Sequence, residues 1–182
     1  MDVPNTIASI QHTDRKNVID HYAYWNTEQI KIDLNSKRHN FSLLLSNIFN
    51  DFNISTIIRN ANAFLGQNIF VYGRKKFDRR GTVGTHIYEN IINIKDLSLL
   101  PKDAMIIGID NIERAEPIET FQYPTDRHII FAFGQEQVGL PEEVIPICEK
   151  LLYIKQYGSV RSLNVGSASS IVMYDYCLKN NL

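Results

Sequence analysis

Two cysteines, Cys148 and Cys177, and a single tryptophan are all this 182-residue chain carries of either type. The two thiols have no metal-ligand spacing, which argues against a disulfide framework and points to a reducing compartment. Five histidines (His12, His21, His39, His86, His128) are scattered, no two of them four apart and none beside a cysteine pair, so no metal site is expected. No run nears the roughly 18 consecutive apolar residues that a membrane-spanning helix needs. The opening stretch MDVPNTIASIQHTDRKN has neither a basic start nor an apolar core, so no secretory leader is expected and the expected location is cytoplasmic. Nine glycines are present, yet none falls into a G-x-G-x-x-G turn, a Walker loop or a G-x-S-x-G elbow. Each of those motifs holds its ligand or nucleophile through glycines at fixed places, so their absence argues against an NAD enzyme, a P-loop NTPase and a serine hydrolase.

What is present is an ordinary globular composition, 44% hydrophobic and 21% charged, long enough for one well-buried core. Short apolar runs alternate with helical patterns. Phe41–Leu45, Asn68–Tyr72, Ala104–Ile109, His128–Phe133 and Leu151–Ile154 read as strands of the continuous apolar type that parallel sheets bury on both faces. Helices are expected around Ile54–Leu65, over Pro141–Glu149, where Pro and two glutamates write a helix start, and from about Asn164 to Leu178. The fold class is therefore α/β, with a mainly parallel sheet flanked by helices. Residues 1–40 fit this alternation less well and are taken as an N-terminal extension on or near a core of 41–182. Val18–Ile30 is a candidate extra helix, and Lys37, Arg38 and His39 form a small basic cluster.

The net charge of −1 gives no global argument for nucleic acid. Locally, GRKKFDRRG (Gly73–Gly81) sets Arg74, Lys75, Lys76, Arg79 and Arg80 against the single Asp78. Closely spaced cations beside an aromatic suit a phosphate backbone, and a solvated loop is the alternative.

Three further stretches carry candidate chemistry. In DFNISTIIRNANAFLG (Asp51–Gly66), Ile54, Ile57, Ile58, Ala61 and Leu65 form a buried stripe, and Asn53 stands where a helix cap belongs. Ser55, Arg59 and Asn62 share another face, and an arginine among amides with no charged neighbour suits a phosphate or carboxylate. In FAFGQEQVGLP (Phe131–Pro141), a buried strand ends at Gly134, and a loop carrying Glu136 follows. Ligands of open α/β sheets bind beyond such strand ends. In GSVRSLNVGSASS (Gly158–Ser170), a turn leads to a helix capped by Ser162 or Asn164. The small residues after the cap suggest close approach to another backbone or subunit. His86 is read as structural.

These three stretches, in this order, resemble the motifs of the SpoU (TrmH) family of RNA ribose 2′-O-methyltransferases in the SPOUT superfamily. NISTIIRNANAFLG resembles the first, FGQEQVGLP the second and YIKQYGSVRSLNVGSAS the third. The resemblance implies a parallel sheet whose C-terminal part forms a deep trefoil knot, with S-adenosylmethionine as cofactor and an RNA, tRNA or rRNA, as substrate. It also implies a homodimer, expected through the final helix, with no metal and no membrane. Carried over, the catalytic set is Asn53, Arg59, Glu136, Ser162 and Asn164. The cofactor set is Phe133, Gly134, Ile154, Gln156, Ser162 and Leu163. One departure stands out: many members have Ile-Pro-Met where this chain has Ile154-Lys155-Gln156.

A ribose hydroxyl is a poor nucleophile and a methyl sulfonium a good electrophile, so the site must supply positioning and help with the proton. Arg59 is expected to hold the phosphate beside the target ribose, oriented by Ser162 and Asn164, while Glu136 and Asn53 brace the loops. Two alternatives stay open: a SPOUT methyltransferase acting on a base, and a knotted RNA-binding or assembly protein without catalysis.

Overall fold

The structure is a computed structural model that describes residues 17–182 apart from 47, 49, 50, 74–76 and 136. Arg74, Lys75, Lys76 and Glu136 therefore lie outside the described residues.

Seven parallel strands form one sheet in the order β3-β2-β1-β6-β4-β7-β5. They are β1 (Phe41–Ser46), β2 (Ile69–Tyr72), β3 (Ile91–Ile94), β4 (Met105–Ile109), β5 (Glu116–Pro117), β6 (Ile129–Phe133) and β7 (Lys150–Tyr153). The register pairs Leu43 with Ile69 across β1–β2 and Phe41 with Ile129 across β1–β6. The five strands read from the sequence are all present. β3 and β5, which escaped it, are the two edge strands, where burial on one side only dilutes the apolar signal.

Because strand side chains alternate, each apolar run divides between two cores. Phe41, Leu43, Leu45, Ile107, Phe131 and Phe133 face one cluster, which the helices α2 (Asp51–Ala63) and α3 (Val165–Lys179) cover. Ile54, Ile57, Ile58 and Ala61 enter it from α2, and Val172, Met173 and Tyr176 from α3. Each such aliphatic side chain contributes about 1.5–3 kcal/mol on burial. Leu44, Phe70, Ile130 and Ala132 face the opposite cluster, packed with Leu140 and Val144. Among the described residues, no helix is long and apolar enough to cross a membrane.

Three local expectations change. Leu65 leaves the α2 stripe: its φ of 53° ends the helix and its side chain packs toward Tyr22, Ile30, Leu34 and Tyr88. Pro141–Glu149 forms turns and one 3-10 turn (Ile145–Ile147) instead of a helix. Pro146 in its middle supplies no N–H and disfavours helical geometry at the residue before it. Near the N-terminus, a 3-10 turn (Asp20–Tyr22) precedes α1 (Thr27–Lys37), so the helix begins well beyond Val18. A capping box sets that start: the Gln29 N–H donates to Asn26 Oδ1 and the Asn26 N–H to Gln29 Oε1, both at 2.9 Å.

The small basic cluster at the end of α1 divides: Lys37 is exposed and pairs with Asp33 at 2.6 Å, whereas Arg38 turns inward. Arg38 pairs with Glu89 at 2.6 Å, the two side chains 3% and 0% exposed. Its guanidinium also donates to the carbonyls of Gly66 and Tyr88, both at 2.8 Å. Asn62 donates to the other Glu89 oxygen at 2.7 Å. Burial pushes the Glu89 carboxyl up, and Arg38 and Asn62 pull against that.

Candidate active site

The C-terminal ends of β4, β6 and β7 open on a cavity of about 310 Å³. Its walls come from three segments: residues 109–112 at the end of β4, Gln135 and residues 137–139 after β6, and residues between Tyr153 at the end of β7 and Ala168. The sequence pointed to the second and third of these. The same rule about strand ends, applied to β4 as well, would have found the first.

The loop after β6 is a tight hairpin. The Gln135 N–H donates to the Gly139 carbonyl at 3.1 Å and the Gly139 N–H to the Gln135 carbonyl at 2.9 Å. A Cβ on Gly134 would fall 2.0 Å from the Gly139 carbonyl oxygen, so glycine serves the loop's own closure at this position. Gly139 takes a φ of 76°, and Asp110 clamps the far side. One Asp110 oxygen accepts the Leu140 N–H at 2.8 Å and the other accepts the Asn111 N–H at 2.7 Å. Neither Phe133, which is fully buried in the core, nor Gly134 lines the cavity. Ile154, Gln156, Ser162 and Leu163 do, and so does Arg161.

The third stretch is joined to the first by side chains. Asn164 caps α3 by accepting the Ser167 N–H at 3.2 Å, and its amide donates to Asn53 Oδ1 at 2.8 Å. Asn53 is thus not the cap of α2; it lies buried inside the first turn, where it meets α3. Asn60 donates to the Gly166 carbonyl at 2.9 Å and to Ser169 Oγ at 3.1 Å. A Cβ on Gly166 would sit 2.9 Å from the Thr56 methyl. The small residues opening α3 therefore serve the α2–α3 approach within this chain.

Asn53, Thr56 and Asn60 face α3, and Ser55 and Asn62 face the 78–89 segment through Asp78 and Glu89. At 100° per residue, Arg59 falls between those two stripes with Phe52 and Ala63, and all three are exposed. Arg59 has no ion pair or side-chain hydrogen bond among the described residues, whereas Ser55 and Asn62 are committed to structural bonds. The helix thus presents a bare guanidinium, the state that suits an incoming phosphate. Arg59, Asn53 and Asn164 do not line the cavity; Leu163 and Val165, on either side of Asn164, do.

In the basic stretch, Arg79 and Arg80 are both exposed. Arg80 grips Asp78 as a fork, with Nη2 2.5 Å and Nε 2.9 Å from Oδ2, and holds that carboxyl below its usual range. His86 is structural, as expected: its Nδ1 lies 2.7 Å from the buried Thr82 hydroxyl, and burial and then Arg79 lower its pKa.

The residues at the cavity fit S-adenosylmethionine. Gln156 is one of the lining residues, and its Oε1 is a buried acceptor without a hydrogen-bond partner among the described residues. Such an orphan costs about 1–3 kcal/mol unless a ligand N–H meets it. Apolar walls from Ile109, Ile154 and Leu163 suit a flat heterocycle, and the exposed backbone of the loops suits its polar ends.

Residues 40–174 match the model of the SpoU rRNA Methylase family. A tRNA (guanosine(18)-2′-O)-methyltransferase of Aquifex aeolicus is 24% identical over 149 residues, covering 78% of this chain and 71% of that protein. The crystal structure of the A. aeolicus TrmH/SpoU tRNA modifying enzyme superposes with a TM-score of 0.74 at 21% identity, covering 85% of this chain and 84% of that one. An AdoMet-bound rRNA methyltransferase from Sinorhizobium meliloti gives 0.70 at 22% identity, covering 80% of this chain and 59% of the other. With its cavity framed by two of the family's motifs and its arginine helix joined to the third of them, the chain belongs to the SpoU rRNA Methylase family and is an S-adenosylmethionine-dependent RNA methyltransferase.

Proposed function

We propose that the protein methylates a ribose 2′-hydroxyl of tRNA, with Arg59 as the phosphate-holding residue and a homodimer as the working unit. The observation that carries this reading is the Asn164–Asn53 hydrogen bond, which fixes the arginine helix to the loop bordering the cofactor cavity. In the cavity, Gln156 accepts a donor of the cofactor and Ser162 and Leu163 border it, with the knotted C-terminal fold of the family bringing the two loops together. The bound cofactor supplies an electrophilic methyl group. Arg59 binds the phosphate next to the target ribose and so orients the hydroxyl. A guanidinium stays protonated near neutral pH, so the hydroxyl proton passes to a phosphate oxygen or to water while Arg59 stabilises the charge.

The dimer accounts for two observations. Arg59 does not line its own chain's cavity, and α3 exposes Ile171, Tyr174 and Leu178 on one stripe, with Phe52 exposed on α2. Pairing through that surface covers the apolar stripe and brings Arg59 toward the partner's cavity. Transfer RNA is preferred over ribosomal RNA because a compact chain can dock on a small folded RNA, and the A. aeolicus relative bears a tRNA methyltransferase name.

The test is to incubate the purified protein with S-adenosylmethionine and either tRNA or rRNA, and to map 2′-O-methyl positions by mass spectrometry. Arg59→Ala is expected to abolish transfer while leaving cofactor affinity within a few fold. Turnover surviving in that variant removes Arg59 from the mechanism, and a methylated base instead of a ribose removes the reaction assigned here.

A further inference from the structure

The loop from Ile154 to Leu163 holds two residues that methyl transfer as described leaves unused: Lys155, where many family members have proline, and Arg161. Between them in sequence stands Tyr157, whose side chain is 88% exposed. Lys155 Nζ lies 5.7 Å from the centre of its ring. Val160 is 65% exposed on the same loop, and Val138, 69% exposed, lines the cavity from the loop opposite. Arg161 also lines the cavity, its carbonyl accepting from Asn111 Nδ2 at 3.3 Å. From Lys155 to Arg161 the chain has two cations and no acid. A Cβ on Gly158, next to Tyr157 in sequence, would meet nothing within 4 Å, so the loop is open at that position.

We propose that Tyr157 is a stacking platform for an unpaired RNA base adjacent to the target nucleotide, with Lys155 and Arg161 on the phosphates that flank it. The inference rests on the reading of the cavity as a methyl-transfer site for RNA and narrows the substrate to a single-stranded or loop region. A base inside a helix has both faces covered by its neighbours and offers none to an exposed ring. A ribose that must reach a recessed cavity leaves the helical stack, and its neighbour then loses a stacking partner that Tyr157 replaces. The charge pattern selects the same occupant. An apolar protein partner has no use for a loop with two cations and no acid around an exposed ring, whereas a nucleotide presents a π-face and phosphates together.

The experiment uses the full chain as wild type, Tyr157→Ala and Tyr157→Phe. Three quantities are measured: affinity for S-adenosylmethionine, affinity for a labelled single-stranded oligoribonucleotide and for the same strand in a duplex, and the KM for tRNA in methyl transfer. Tyr157→Ala is expected to weaken single-strand binding and raise the RNA KM about ten-fold, the loss of one base–aromatic stack. Cofactor affinity and duplex binding stay within two-fold, and Tyr157→Phe, which keeps the ring, stays near wild type. The platform is overturned if Tyr157→Ala leaves single-strand binding unchanged, if Tyr157→Phe loses as much as Tyr157→Ala, or if cofactor affinity falls in parallel. The two readings separate cleanly. Normal methyl transfer with an unaffected RNA KM in Tyr157→Ala sinks only the platform. Tyr157-dependent strand binding by a wild type that methylates no RNA sinks only the reaction.

Discussion

Arg38 and Arg59 make an instructive pair. Arg38 closes α1 and Arg59 lies within α2, and both stand near amides. Arg38 is buried and paired: Glu89 accepts one of its N–H groups, and Gly66, Tyr88 and the Asn35 side chain accept three more. Arg59 stands exposed on α2 with no ion pair or side-chain hydrogen bond among the described residues. A guanidinium taken out of water must be fully paired, and once paired it has nothing left to offer a ligand. One left in water on a rigid helix loses little by waiting and keeps its whole fork for a phosphate. The difference separates a residue that holds the fold from one that handles substrate.

The sharpest way to break the comparison is to remove the partner that Arg38 has and Arg59 lacks. Glu89→Ala strands a buried cation and is expected to cost about 3–5 kcal/mol. For a chain of this size that lowers the melting temperature by roughly 6–20 °C. A double variant, Arg38→Met with Glu89→Leu, is expected to regain most of the loss, because no uncompensated charge remains. Thermal unfolding of the wild type and these two variants measures both effects. Arg59→Ala is expected to do the reverse: stability within about 0.5 kcal/mol of wild type, and methyl transfer at least a hundred-fold slower, roughly 2.7 kcal/mol at the transition state. Parallel melting curves and single-turnover rates would show whether the two arginines trade these roles.

The sequence separated the two arginines only in part. It singled out Arg59 through its spacing from Asn53 and through the motif it belongs to, and it grouped Arg38 with Lys37 and His39 as a basic cluster. The Arg38 partner lies 51 positions away at Glu89, and no local pattern reports a pairing of that range. The central strands were legible for the opposite reason. A strand buried on both faces writes its state into consecutive residues, as in Ile129–Phe133. The β4 wall of the cavity went unseen because Asp110 works by accepting two backbone N–H groups, a role that any loop aspartate has in sequence. The expected company of Arg59, Ser55 and Asn62, is engaged with Asp78 and Glu89, a distinction that helical periodicity alone cannot make.

Between the two extremes lies Asn164, which serves the fold and the site together. Asn164→Ala removes the cap of α3 and the bond to buried Asn53, and about 1–3 kcal/mol of stability is expected to go with them. Asn164→Ser keeps an oxygen for the Ser167 N–H but cannot reach Asn53, so it recovers only the capping share of about 1 kcal/mol. If the Asn53 bond positions Arg59, methyl transfer stays impaired in Asn164→Ser while the capping share of stability returns. Recovery of both together would assign the bond to stability alone.

The smallest effects belong to Arg79 and Arg80, which share the exposure of Arg59 but differ in company. Arg80 already holds Asp78, so part of its charge is spent within the chain, while Arg79 has no ion pair among the described residues. If both touch RNA phosphates, Arg79→Ala weakens binding roughly uniformly across sequences and lowers the slope of log affinity against log salt by about one. Arg80→Ala lowers it by less, because the Arg80 charge is already committed to the Asp78 carboxylate. That difference depends on pH with a definite sign. Arg80 depresses the folded-state pKa of Asp78. The pair's contribution is therefore complete above the unfolded carboxyl value near 4 and fades as pH falls through the lower folded value. At neutral pH Asp78 is charged in both states and the contrast between Arg79→Ala and Arg80→Ala is fully developed. Equal salt slopes for the two variants at that pH would mean that the Asp78 fork opens when RNA arrives and that the two arginines act alike.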